Sequence, residues 1–287
     1  MRDQSSPPSV VVGIDGSRSA LDAALWAVDE AVSRDIPLRL VYAIEPDGAV
    51  TDHEDSAREL ARAETAVKYA FTAVESTDKP VKIEVEILQE GPTRALLRSS
   101  RSAALICVGP TGLKHSTHGR IGSTAAALAA SARCPVAVVR GHDPLQVTKK
   151  WVVAEVDEFP RGDGVLRRSM EEAHLRGAPL RVLTTWQPRF TDIHDCRAVA
   201  DGNRLAHAHL DRRLAQWKKR YPDLDVQAVA VHGSTLNYLS KNADSIQLLV
   251  VGHERTQGVA ALLGPPGYAA LHGANCSVLI CEPHNLW

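Results

Sequence analysis

An excess of either charge is missing from this sequence: 33 Lys and Arg stand against 34 Asp and Glu, a formal net charge of −1 over 287 residues. That balance gives no electrostatic reason to expect a nucleic-acid or membrane-surface partner. No apolar run approaches the ~20 residues needed to cross a bilayer. The opening "MRDQSSPPS" has no apolar signal core and reads as a frayed tail. The five cysteines, Cys107, Cys134, Cys196, Cys276 and Cys281, are odd in number and nowhere spaced CxxC. This argues against a disulfide framework and a thiolate zinc site, and for reduced cysteines in a cytoplasmic protein. Also absent are GxGxxG, GxxxxGK before Ser or Thr, and the GxSxG elbow. His115-x-x-His118 lacks a third ligand at any usual spacing, and His207-x-His209 falls in a helical pattern where i and i+2 face apart. No catalytic residue and no metal ligand is therefore assigned.

What is present is written twice. "RDIPLRLVYAI" from Arg34 returns as "RGAPLRVLTTW" from Arg176, and "GPTRALL" from Gly91 as "GSTLNYL" from Gly233. "CPVAVVR" from Cys134 returns as "CSVLICE" from Cys276, and "VVGID" ending at Asp15 as "VAEVD" ending at Asp157. All four pairs share one offset, 142 residues. A repeat of about 140 residues is a domain, not a solenoid unit of 20–50. Apolar patterning stops after Val139 and resumes at Trp151, which sets units at 1–141 and 151–287.

Within the first unit the pattern predicts strands at 10–15, 37–44, 81–88, 103–109 and 135–140, alternating with helices at 18–34, 54–76, 92–101 and 123–133. Leu21, Ala24, Leu25, Val28 and Val32 form one apolar helix stripe, and Ser19-x-x-Asp22 resembles a capping box at its start. Near-continuously apolar strands alternating with helices predict an α/β fold, two tandem doubly wound parallel sheets. Ligands on such sheets sit at the carboxyl ends of the strands, near the switch point.

That edge carries "GPTGLKHSTHGRIGSTAAALAA", residues 109 to 130. Gly109, Gly112 and Gly122, with Ser123 next, lie between a strand and an alanine-rich helix. With glycine near 7% of residues, about 0.08 matches to this glycine spacing arise by chance in a chain this long. Backbone N–H groups from glycine turns, a helix start and a hydroxyl suit an anion, and Lys114, His115, His118 and Arg120 add local positive charge. The alternative at this stage is a surface loop whose glycines end a strand and start a helix. Pro110 removes one N–H from the loop.

These residues resemble the universal stress protein family in its tandem form, whose pattern G-x2-G-x9-G-Ser/Thr residues 109–123 match in full. The resemblance implies a sheet ordered 3-2-1-4-5 and a regulatory, stress-adaptation role. It also implies ATP binding, with Mg2+ as companion ion: Asp15 and the Ala43 backbone at the adenosine end, Gly109, Gly112, Gly122 and Ser123 at the phosphates. A slow ATPase and a nucleotide-free interaction module, with an unidentified protein partner, are the competing expectations. The second copy keeps Asp157, Gly252 and Gly264, but Glu155 replaces a glycine, Arg255 stands in the place of Gly112, Pro265 in that of Ser123, and the loop is one residue shorter. It is expected to bind no triphosphate and to serve as a structural or partner-facing copy, the alternative being that Arg255 itself neutralises a ligand phosphate. Single-unit members pair at their last strand, so 135–140 and 277–282 are expected to run antiparallel about an internal pseudo-twofold axis, with a homodimer of whole chains a further family expectation.

Overall fold

Val10–Ile14 form the strand about which the first unit is built. The structure is a computed structural model. It describes residues 7–46, 53–113, 120–141, 150–157, 163–186, 196–254, 258–273 and 275–281. The chain divides into Met1–Asp143 and Pro144–Trp287. In the first unit β1 (Val10–Ile14) is followed by α1 (Arg18–Arg34), β2 (Leu38–Ala43), α2 (His53–Glu75) and β3 (Ile83–Leu88). Then come α3 (Pro92–Ser99), β4 (Leu105–Val108), α4 (Ser123–Ser131) and β5 (Val136–Val138).

The strands are ordered β3-β2-β1-β4-β5 and every pairing is parallel. The chain winds outward from β1 to β3, then returns to the other side of β1 to lay down β4 and β5. The switch point therefore lies between the carboxyl ends of β1 and β4. Strand β4 is fully buried, as a strand covered on both faces should be.

Helix α1 meets this sheet through alanine. Ala20, Ala23, Ala24, Ala27, Val28 and Ala31 are its most buried face, whereas Leu25 and Val32 of the anticipated stripe are only half-buried. Small side chains let the helix backbone approach closely. Leu21, Ala24 and Val28 of the stripe are buried as expected; hydropathy ranks leucine and valine above alanine, but alanines fill most of the face laid on the sheet.

The α1 C-terminus ends in a Schellman motif. Asp35 adopts φ 52°, its N–H donates to the Val32 carbonyl (3.1 Å), and the Ile36 N–H donates to the Ala31 carbonyl (3.1 Å). Half a turn earlier, the fully buried Glu30 carboxylate pairs with Arg34 at 2.7 Å.

The second unit repeats the order with β6 (Trp151–Glu155), α5 (Gly164–Leu175), β7 (Leu180–Trp186), α6 (Cys196–Arg220) and β8 (Val226–His232). After these come α7 (Thr235–Lys241), a single 3₁₀ turn, β9 (Ile246–Gly252), α8 (Val259–Leu263), α9 (Pro265–Gly273) and β10 (Ser277–Cys281). Its strands run β8-β7-β6-β9-β10, again all parallel. The same Schellman geometry closes α5: Gly177, φ 53°, donates to His174 (3.0 Å), and Ala178 donates to Ala173 (2.9 Å). Buried Glu172 pairs with Arg176 as Glu30 does with Arg34.

Position 35 is thus a left-handed site that the second copy fills with glycine and the first with aspartate. A side chain in that conformation costs roughly 1 kcal/mol. Asp35→Gly is expected to raise stability, by about 0.5 kcal/mol after glycine's larger unfolded-state entropy. Urea denaturation with an unchanged m-value checks it; a lower midpoint contradicts the strain reading.

Candidate functional site

The last register pair of β1 with β2 is Ile14 with Tyr42. Asp15 and Ala43 follow side by side at the carboxyl edge of the sheet. On the other side of β1, Gly109 follows β4 immediately. Three of the expected residues thus arrive at one edge by strand register alone.

Loop contacts bring in the rest. The Ser17 N–H donates to Asp15 Oδ1 at 2.9 Å, and the Leu113 N–H donates to Asp15 Oδ2 at 3.0 Å. The Ser19 hydroxyl donates to the Thr111 carbonyl at 2.6 Å. The first turn of α1 and the loop after β4 are therefore fastened together around one carboxylate. Gly122 lies over the same loop: its N–H donates to the Pro110 carbonyl at 2.7 Å, and it caps α4 with no side-chain hydrogen bond. The first carbonyl acceptor within α4 is Gly122, which takes the Ala126 N–H at 3.0 Å. The amides of Ser123, Thr124 and Ala125 therefore have no intrahelical acceptor, and they carry the positive end of the helix dipole. Ser123 is exposed. Arg120, three residues earlier, is exposed as well.

Two expectations need correction. The first is that the amides of the glycine turns are free for an anion, which fails at Gly122; none of the three motif glycines has a positive φ, and the left-handed glycine here is Gly16, φ 84°. Gly109 is required by packing, since a Cβ on it would stand 2.7 Å from Ser19 Cβ and 2.9 Å from its carbonyl carbon. The Gly122 N–H faces Pro110 and not an anion. Secondly, the α1 cap is Ser17, whose hydroxyl accepts the Ala20 N–H at 3.1 Å. Ser19 is released from capping to hold the loop. Gly16, Ser17, Ser19 and Thr111 were missed; only "DGS" carried a local turn signal. Lys114, His115 and His118 lie outside the described residues.

Tyr42 was also missed. Burial, then the charges of Glu59 and Asp15, push its phenol above the ordinary value, with Arg62 opposing. A partly buried hydroxyl therefore stands within electrostatic reach of Asp15 at the same edge.

The second copy is built differently at this edge. The Glu155 carboxylate accepts from the buried Thr235 hydroxyl at 2.6 Å, in the place where the first unit has Gly13. The Asp157 carbonyl accepts from Arg213 at 3.3 Å. Trp186, ending β7, donates its indole N–H to Asn203 at 2.7 Å and rests against the backbone of Gly202, where any side chain would strike its ring. In the second unit the corresponding spacer ends in α8, which buries Leu262 and Leu263. Pro265 then starts α9, where its missing N–H costs nothing. Arg255 lies outside the described residues.

Comparison with known proteins agrees with the duplicated fold. The model of the universal stress protein family matches residues 8–140 and again 149–282. A universal stress protein of Mycobacterium tuberculosis is 50% identical over 282 residues, covering 98% of each chain. Another from that organism is 44% identical over 286 residues, covering 100% of each. The crystal structure of a universal stress protein from Archaeoglobus fulgidus superposes with a TM-score of 0.68 over 96% of this chain and 97% of that one. At 12% identity it speaks for the fold alone.

Asp15→Asn removes one of the two negative charges that oppose Tyr42 ionisation. The Tyr42 titration, read by NMR of ring-labelled tyrosine, is expected to move down toward the ordinary value without reaching it, because burial persists. Because the folded phenol holds its proton more tightly than the unfolded one, its contribution to stability is intact below about pH 10 and falls as pH rises through the folded value. An unmoved Tyr42 titration would separate it from Asp15.

Proposed function

The chain belongs to the universal stress protein family, and from that footing we propose that its first unit binds an adenine nucleotide, ATP first among them, as a regulatory ligand in a stress-adaptation role. One observation carries the reading: the Asp15 carboxylate and the start of α4 converge on a single loop at the switch point. The α4 amides and the exposed Ser123 hydroxyl suit phosphate oxygens, with Arg120 as a supplementary cation. Asp15 and the Ala43 backbone, one strand apart, suit the ribose and base. Gly109 and Gly112 remain in the pocket through the close approaches they permit.

Binding without turnover is the favoured form. Hydrolysis of a triphosphate needs a group that positions or deprotonates water near the terminal phosphate. Thr93, Thr111, Ser123 and Thr124, beside the α4 start, are hydroxyls with no basic character at neutral pH, and the histidines hydrolysis would call on, His115 and His118, lie outside the described residues. Mg2+ would accompany a triphosphate as its solution counter-ion, and no described residue is assigned to it.

The second unit is proposed to take no triphosphate. Glu155 brings a negative charge to its edge, α8 buries the spacer, and Pro265 offers neither hydroxyl nor N–H at the helix start.

The protein is expected to bind one ATP per chain by titration calorimetry, and denaturing the purified protein is expected to release adenine nucleotide on chromatography. Ser123→Ala removes one donor to a charged group and should weaken ATP by about tenfold while leaving the melting temperature in place. Two equivalent sites per chain would sink the one-unit assignment. An unchanged affinity in Ser123→Ala would sink the phosphate end, and release of phosphate above background the regulatory reading.

A further inference from the structure

We infer that Gly112 is a positioning residue for Asp15, so that it governs the nucleoside end of the ligand and not its phosphates. The inference rests on the nucleotide-binding reading above but separates the three glycines, which a phosphate cradle treats alike. A Cβ on Gly109 would meet the side chain and backbone of Ser19. One on Gly122 would meet the Pro110 carbonyl oxygen at 3.4 Å and the Thr111 Cα at 3.6 Å. One on Gly112 would meet Asp15 alone, with Oδ2 at 2.5 Å and Cγ at 3.8 Å. Gly112 is not among the described residues with positive φ, so its backbone does not demand glycine. What demands it is the carboxylate.

The same oxygen accepts the Leu113 N–H at 3.0 Å, and its twin accepts the Ser17 N–H at 2.9 Å. These two bonds fix the carboxylate plane and leave the remaining lone pairs for other donors. Vicinal ribose hydroxyls are donors of that kind. A methyl at position 112 strikes the tip of a short side chain and no backbone, so the fold accommodates it by turning Asp15 away. The loop survives; the orientation of the acceptor does not.

Adenosine, AMP and ATP distinguish the two ends of the ligand. Gly112→Ala is expected to weaken all three by a similar factor, about tenfold for the loss of a hydrogen bond to a charged group. Ser123→Ala is expected to weaken ATP and spare adenosine. In an Asp15→Ala background, Gly112→Ala should cost nothing further, because it acts through the missing group. The nucleotide-free protein gives an independent reading: amide hydrogen exchange at Leu113 should quicken in Gly112→Ala and in Asp15→Ala alike. A Gly112→Ala loss confined to ATP, or additive with Asp15→Ala, overturns the inference. If the parent binds none of the three, the nucleotide reading itself has failed. Leu113 exchange then decides the contact alone: unchanged exchange in Gly112→Ala overturns it, and faster exchange upholds the positioning of Asp15.

Discussion

Between Gly109 and the first turn of α1 there is no room for a methyl group, and the Ser19 hydroxyl closes the remaining gap by donating to Thr111. This contact sets where the chain goes on leaving β4. It brings the Leu113 amide onto Asp15 and the Pro110 carbonyl under Gly122, so the α4 start faces the ends of β1 and β2. A residue without a side chain, next to a strand end, thereby fixes the separation of two groups that belong to different helices and loops.

The two copies show which parts of this are scaffold and which are site. Both units retain the Schellman turn after the first helix and the buried Glu–Arg pair just before it. Neither lies near the carboxyl edge, and each satisfies groups that any such fold must satisfy. The differences collect at the edge itself: Gly13 against Glu155 with its Thr235 hydrogen bond, and Ser123 against Pro265 at the helix start. A buried carboxylate left without its arginine is costly in either unit, and both copies hold the pair.

The alternation of strands and helices and the position of the edge were legible in the sequence because unbroken apolar runs and turn glycines are local signals; the strand order came from the family resemblance and not from any local pattern. The glycine motif was legible too. The cause of each glycine was not. Gly109 answers to Ser19 and Gly112 to Asp15, contacts that span about a third of the chain, and no local pattern records a distant side chain's approach. Ser17 and Ser19 illustrate the limit. Either hydroxyl can cap a helix, and only the Thr111 carbonyl, 92 residues away, withdraws Ser19 from that role. The coiling of "VAALL" into α8 was likewise hidden: the run is as compatible with a buried loop as with a helix until something stands beside it.

Glu155 has a consequence for how the chain responds to concentration. A carboxylate attached to the backbone at the carboxyl edge of β6 cannot be diluted, and the Thr235 hydroxyl is among the groups that hold it there. A soluble anion competing for that place faces a rival of fixed and high effective concentration. Under the one-site reading proposed above, the second unit does not respond to the nucleotide around it, and the chain follows its ligand along a simple hyperbola, graded over roughly two decades of concentration. Any sharper threshold has to come from whatever reads the occupied chain.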